Sequence, residues 1–214
     1  MKRPGRLRSF VPVVLGLTLF PFLLYFRRLG PLDFWWAMGL IVGALVVSAF
    51  AADGAYTALL REDVRTRPLR KVALGVLSAA ALYGVFFLGN ALVRRFLPMV
   101  GEGIGAVYAL RGGTPALRIG LLLLLVIGPG EELFWRGYLQ RTWRKKLGNA
   151  SALPLAVAAY TAVHIASGNP VLVLAAAVCG LFWGVLYQRS GSVLLVVVSH
   201  TLWDLAVFLL FPLN

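Results

Sequence analysis

Charged side chains are scarce in this chain of 214 residues, which has only 8 acidic residues and 2 histidines. Charged residues make up 14% of the sequence and hydrophobic residues 60%, whereas a soluble domain is about 25% charged. The composition therefore indicates a membrane protein. The single cysteine, Cys179, excludes an internal disulfide and any multi-cysteine metal site.

Lysine and arginine are the exception to this scarcity, and they give the chain a net charge of +13. Binding of nucleic acid would require a basic surface on a water-soluble stretch, but the basic residues are dispersed between apolar runs. We therefore attribute the positive charge to membrane topology and to contact with lipid headgroups, and we expect no nucleic-acid partner.

Apolar runs predict an all-α fold, a polytopic transmembrane helical bundle of about seven spans, because a helix of about 20 residues crosses the hydrocarbon core of a bilayer. The runs are approximately 10–27, 34–60, 72–93, 117–140, 151–167, 170–188 and 192–212. Most of the 21 lysines and arginines, including Lys2 and Arg3, lie on the inner side if the N-terminus is cytoplasmic, which predicts an N-in orientation. The first run lacks a small-residue cleavage site, so we interpret it as a retained span.

Half of the acidic residues and both histidines fall inside the predicted spans. They are Asp53, Glu131, Glu132, Asp204, His164 and His200. Each charged group near the centre of a membrane helix costs about 2.5–3.5 kcal/mol on insertion scales, so several such groups indicate pairing or function. For Asp53, which lies within a few turns of the cytoplasmic edge of its span, we favour a structural role. Pro129 in the GPG stretch removes a backbone donor, and we expect the helix to kink or restart just before the two glutamates.

Spacing along the helices assigns partners to these residues. Glu132 and Arg136 are four residues apart, which places them on one helix face as an ion pair. Glu131 is turned about 100° away and can face a different partner. His200 and Asp204 are also four apart, so the carboxylate can orient the imidazole.

His164 contributes a second imidazole from a third helix. Two carboxylates and two histidines can activate a water molecule directly, or they can form a zinc site of two histidines and one carboxylate with the second carboxylate as general base. The candidate zinc ligands are Glu132, His164 and His200. Either arrangement suits hydrolysis of an amide bond, and the sequence does not decide between zinc and a metal-free mechanism.

Three short motifs occur in order along the last four predicted spans. EELFWR has the form E-E-x-x-x-R, YTAVH has the form aromatic-x-x-x-H, and HTLWD has the form H-x-x-x-N/D. Their order and separation resemble the CPBP (Abi) family of intramembrane proteases, which includes type II CAAX prenyl endopeptidases and bacteriocin-processing or immunity proteins. The resemblance covers about 128–204. It divides the chain into an N-terminal region of three spans and a loop, 1–116, and a catalytic core of four spans, 117–214.

The resemblance implies an intramembrane endopeptidase with its active site inside the helical bundle. By analogy with the family, Glu131 and His164 activate the attacking water. Glu132 is the second carboxylate of the site and is braced by Arg136. The resemblance also implies that His200, the first residue of the third motif, stabilises the oxyanion or helps to hold a metal.

Two residues depart from the family pattern. Tyr160 stands where phenylalanine is usual, which is a mild change in a supporting position. Asp204 stands where the prenyl proteases typically have asparagine. An ionised carboxylate only accepts hydrogen bonds and is a poor oxyanion donor, so we predict that Asp204 orients His200 or supports a metal.

Three classes of function are weighed from the sequence. The first is an endopeptidase that acts on a membrane-anchored or lipidated peptide or protein. The second is a non-proteolytic scaffold, immunity protein or chaperone of the same family. The third is a proton-coupled transporter, for which an inverted repeat would be evidence, and we find none. The expected location is multi-pass in a bacterial plasma membrane, with the lipid bilayer and the substrate as partners.

Overall fold

Helices make up most of the structure, as the apolar runs predict. A computed structural model describes residues 6–96 and 100–213. The helices are α1 (Arg6–Phe26), α2 (Phe34–Ala52), α3 (Tyr56–Arg65), α4 (Pro68–Phe96), α5 (Val100–Tyr108), α6 (Ala116–Leu122), α7 (Gly128–Glu132), α8 (Arg141–Ile165), α9 (Pro170–Ser190) and α10 (Val193–Leu205). The strands β1 (Arg28–Leu29) and β2 (Leu32–Asp33) form a short antiparallel hairpin, and a 3₁₀-helix (Ala109–Arg111) follows α5. Lys2 and Arg3, which contribute to the predicted orientation, lie outside the described residues.

The predicted all-α membrane architecture is confirmed, but the number of about seven spans is not. Over the described ranges, four helices are long and apolar enough to cross a membrane, and a bent pair makes five if it counts as one span. The four are Phe34–Ala52, Pro68–Leu92, Pro170–Ser190 and Val193–Leu210, and the bent pair is Gly101–Arg111 with Ala116–Ile165, at an angle of 93°. The apolar part of the first helix, Phe10–Phe26, is shorter.

Two backbone breaks separate helices in the structure. The predicted run 34–60 ends early because Asp53 leaves helical geometry, with φ of −131° and ψ of 95°. The predicted runs 117–140 and 151–167 are separated by a break at Gly148, whose φ of +79° is a conformation that favours glycine.

The helical stretch that carries the two glutamates contains two π-helical segments. A π-helix (Leu123–Ile127) precedes α7, and a second π-helix (Leu133–Gln140) follows it. A third π-helix (Ala206–Leu210) extends α10. The chain stays helical through Pro129, so the expected restart is a change from π to α winding at Gly128. Short π segments occur frequently at functional sites in proteins.

Packing brings the C-terminal helices around α7. Helix α10 packs against α4 and α7, and α8 packs against α9. Gly184 on α9 allows a close approach, because a Cβ atom there would lie 2.7 Å from Leu153 Cδ1. This close packing holds α9 against α8.

Candidate active site

Glu132 is the centre of a buried ion network. Its side chain is 0% exposed, and its Oε1 accepts a hydrogen bond from Arg136 Nη1 at 2.7 Å. The same oxygen lies 2.7 Å from Nδ1 of His200 on α10. The ion pair that the four-residue spacing predicts is therefore formed, and it neutralises a carboxylate that would be strongly destabilising if it were buried alone.

Arg136 is held by contacts with three further residues. Its guanidinium carbon lies 4.7 Å from the centroid of the Tyr160 ring and 5.5 Å from that of Trp183. Its Nη2 donates to the backbone carbonyl of Gly180 at 3.4 Å. Cations are attracted to the faces of aromatic rings, so these contacts fix the direction in which Arg136 braces Glu132.

His200 lies between two carboxylates. Its Nδ1 faces Glu132, and its Nε2 lies 3.4 Å from Oδ2 of Asp204. An ionised carboxylate only accepts hydrogen bonds, so Nδ1 of His200 donates to Glu132, whereas Nε2 lies near Asp204 without a hydrogen bond. The imidazole also stacks on Trp183, whose Nε1 donates to Ser199 Oγ at 3.2 Å.

Glu131 faces a different partner from Glu132, as the turn of about 100° between neighbouring helical residues predicts. Its Oε2 accepts a hydrogen bond from the hydroxyl of Tyr160 at 3.1 Å. His164 lies one turn further along α8, with Nδ1 2.7 Å from the carbonyl oxygen of Tyr160. A carbonyl only accepts, so Nδ1 carries the proton and Nε2 keeps a free lone pair. Tyr160 thus holds both Glu131 and His164.

Ring contacts of Tyr160 connect this pair with the buried network. The guanidinium carbon of Arg136 lies 4.7 Å from the centroid of the Tyr160 ring, and the centroid of the His164 ring lies 4.8 Å from it. The residues predicted from the three motifs are therefore brought together in one interior. They are Glu131, Glu132, Arg136, Tyr160, His164, His200 and Asp204. Their chemical roles stay predictions.

The predicted zinc ligands do not fit a metal ion as they are arranged. Among residues 6–96 and 100–213, no group of three or more His, Cys, Asp and Glu side chains could hold a metal. Both ring nitrogens of His200 face carboxylates, and Nδ1 of His164 faces a carbonyl.

Two residues of the site environment were not predicted as such. Trp183 supports His200 through ring stacking, and Tyr56 donates its hydroxyl to the carbonyl of Leu133, next to Glu132, at 2.6 Å. Neither residue belongs to a motif, and a single aromatic residue in an apolar helix gives no signal of its contacts. Asp53 pairs with Arg141, with Oδ2 2.6 Å from Nη2, as a structural role would require.

Comparison with known protein families identifies the region around this site. Residues 113–206 match the family described as type II CAAX prenyl endopeptidase Rce1-like. The match supports the resemblance to this protease family that the three motifs indicate. All seven site residues lie within the match, which supports an intramembrane endopeptidase activity in general terms, and residues 1–112 lie outside it. Searches of the curated proteins and of the solved structures each found no match.

Proposed function

We propose that this chain is an intramembrane endopeptidase that hydrolyses a peptide bond of a membrane-anchored or lipidated peptide or protein. The observation that carries the proposal is the placement of Glu131 and His164 on one tyrosine, Tyr160, beside the buried network of Glu132 and His200. The proposed location is a bacterial plasma membrane, with the bilayer and the substrate as partners.

Water activation is assigned to Glu131 and His164. The Tyr160 hydroxyl occupies Oε2 of Glu131, so Oε1 is the oxygen assigned to the water. Nε2 of His164, with its free lone pair, accepts a second hydrogen bond from the same water and orients it. Glu131 takes a proton as the water oxygen attacks the scissile carbonyl carbon.

The tetrahedral intermediate needs donors for its negative oxygen. The Nε2–H of His200 is assigned this role, because its contact with Asp204 is the longer of the two that this ring makes, 3.4 Å against 2.7 Å for Nδ1. Glu131 then returns its proton to the amide nitrogen, the carbon–nitrogen bond breaks, and a carboxylic acid and an amine leave. Glu132 and Arg136 keep His200 in place throughout.

The experiment measures cleavage of a prenylated CAAX-type peptide by purified protein in liposomes. The variants are Glu131→Gln and His164→Asn, and the control is Glu102→Gln, which changes an exposed carboxylate outside the matched region. We expect both site variants to lose activity by about 100-fold or more, the range of general acid–base catalysis, and the control to keep it.

Cleavage at the wild-type rate by both site variants rejects the assignment. An unlipidated peptide of the same sequence, tested in parallel, reports whether the lipid contributes to recognition. If Glu131→Gln abolishes cleavage but keeps the full biological effect in cells, the effect belongs to a non-proteolytic role.

A further inference from the structure

Helix α3 contacts both of the helical segments that meet at Glu132 and His200. At its start, the buried hydroxyl of Tyr56 donates to the carbonyl of Leu133, one residue after Glu132. About two turns later, Oδ2 of Asp63 accepts from the backbone N–H of Leu194 at 2.8 Å, in the first turn of α10. Neither Tyr56 nor Asp63 lies in the region matched to the family.

The contact at Tyr56 bears on the winding of the segment that carries Arg136. Leu133 begins the π-helix Leu133–Gln140, and a one-residue change in winding would turn every later residue by about 100°. Tyr56 is fitted closely against this segment, because a Cβ atom on Gly137 would collide with its hydroxyl. Arg141 lies over the tyrosine ring, 4.8 Å from its centroid, and donates Nε–H to the Gly137 carbonyl at 2.6 Å.

The contact at Asp63 bears on the position of α10 along its axis. The first backbone N–H groups of a helix lack intrahelical partners, and a carboxylate there is favourable both as acceptor and as charge. Asp63 is itself fixed by Lys71 on α4, with Nζ 2.7 Å from Oδ1. His200 lies on the same rigid helix as Leu194, less than two turns further on.

We propose that α3 is a bracket that sets the register between the segment of Glu132 and helix α10, with Tyr56 and Asp63 as positioning residues. The two residues are seven positions apart on one helix, which fixes their separation at about 10 Å along the axis. The 2.7 Å contact between Glu132 and His200 tolerates little axial slip, because hydrogen bonds weaken beyond about 3.2 Å. The effect of the bracket on rate rests on the proposed function, whereas its effect on register does not.

The register can be measured without substrate. The chain has 2 histidines, so protein labelled with ¹⁵N in the histidine rings gives two sets of imidazole NMR signals, which His164→Ala assigns. The variants are Tyr56→Phe, which removes only the hydroxyl, and Asp63→Ala. The matched controls are Tyr83→Phe, whose hydroxyl donates to the carbonyl of Phe211, and Glu62→Ala, an exposed neighbour of Asp63.

We expect both α3 variants to shift the His200 signals and to lower kcat for the prenylated peptide about tenfold with KM nearly unchanged, since small misplacements of catalytic groups have large effects on rate. The controls keep both the signals and kcat. Asp63→Asn, which retains an oxygen for the Leu194 N–H, restores most of the rate. Thermal unfolding of each variant confirms that the protein is folded, and Tyr56→Phe against Tyr83→Phe decides the question alone if Asp63→Ala does not fold.

Unchanged His200 signals in Tyr56→Phe and in the Asp63 variant overturn the proposal, even if kcat falls. Equal shifts in the controls also overturn it. The NMR comparison still decides the question if Glu131→Gln retains cleavage, so a failure of the proposed function is distinguishable from a failure of the bracket.

Discussion

The imidazole of His200 stacks on the indole of Trp183, with ring centroids 3.7 Å apart and planes inclined by 22°. Trp183 is fully buried, and its Nε1 donates to Ser199 Oγ, so the indole cannot turn without leaving a buried donor unpaired. Glu132 and Asp204 hold the edges of the imidazole. His200 is therefore fixed on its flat side as well as at both nitrogens.

Replacement of Trp183 tests this support. Trp183→Phe keeps a ring beside His200 but loses the hydrogen bond to Ser199, and we expect kcat for the prenylated peptide to fall about threefold to tenfold with little change in KM, the range of one lost hydrogen bond. Steady-state kinetics in liposomes measures this. Trp36→Phe, which changes a tryptophan that is 45% exposed, is the control. A change in KM with an unchanged kcat would contradict a role of Trp183 in orienting His200.

Removal of the charge on Arg136 tests the buried ion pair. Arg136→Met keeps much of the side-chain volume but leaves the Glu132 carboxylate buried without its guanidinium, and breaking such a pair costs about 3–5 kcal/mol. We expect a large fall in the thermal unfolding midpoint in detergent. Arg189→Met, at an exposed position on α9, is the control and is expected to leave the midpoint within a few degrees.

The double variant Arg136→Met with Glu132→Gln separates charge from packing. Since Glu132→Gln removes the uncompensated charge, we expect it to recover part of the lost stability. Identical midpoints for the single and double variants would mean that the arginine acts through its ring contacts with Tyr160 and Trp183.

Asp204 offers a direct comparison with the asparagine that is typical of the prenyl proteases. Asp204→Asn keeps an oxygen near His200 Nε2 and adds an amide donor that can face the oxyanion. We expect it to retain activity within about threefold of the wild type. Asp204→Ala removes the oxygen that lies 3.4 Å from Nε2 of His200, and we expect kcat to fall at least tenfold. An equal fall in kcat in Asp204→Asn and Asp204→Ala would show that the negative charge of Asp204 is necessary for activity.

Local spacing predicted the parts of the site that lie on one helix, whereas contacts between distant segments were predicted only in outline. The pairs Glu132–Arg136 and His200–Asp204 follow from helical periodicity and are formed. The contact between Glu132 and His200 spans 68 residues. Only the free-energy cost of burying several charged groups indicated that these two residues lie close together.

The π windings and the role of Tyr56 had no signal in the sequence. Hydrophobic periodicity does not distinguish π from α turns over five to eight residues, and the hydrogen bond from Tyr56 to Leu133 spans 77 residues. The early end of α2 shows the same limitation, because the apolar run continues past Asp53 while its backbone leaves the helix. Hydropathy therefore gave the helical segments, but the predicted number of spans is not confirmed.

Metal dependence is tested by chelation. Both nitrogens of His200 are engaged by carboxylates, so zinc binding would require the ring to exchange one of these contacts for a metal. We expect purified protein to keep its peptidase activity after treatment with 1,10-phenanthroline and to contain much less than one zinc per chain by elemental analysis. Loss of activity on chelation that zinc restores would show that His200 and Glu132 rearrange around a metal.

Asp53 gives a prediction for the pH dependence of stability. Burial alone would raise the pKa of the Asp53 carboxyl, but hydrogen bonds from Arg141 and from the Ala55 backbone, with the charges of Arg141 and Lys145, hold this pKa below its usual value of 3.8. A carboxyl whose pKa is lower in the folded state contributes stability that is complete above the unfolded pKa and is lost as pH falls through the folded pKa.

The unfolding midpoint of the wild type should therefore fall as the pH decreases below about 4, and Asp53→Asn should show a shallower fall with a lower midpoint at pH 7. Glu62→Gln, an exposed carboxyl on α3, is the control and should follow the wild-type curve. Scanning unfolding in detergent between pH 7 and pH 3 measures these slopes. Parallel curves for the wild type and Asp53→Asn would show that the pair with Arg141 does not stabilise the fold, because only the ionised carboxylate forms that pair.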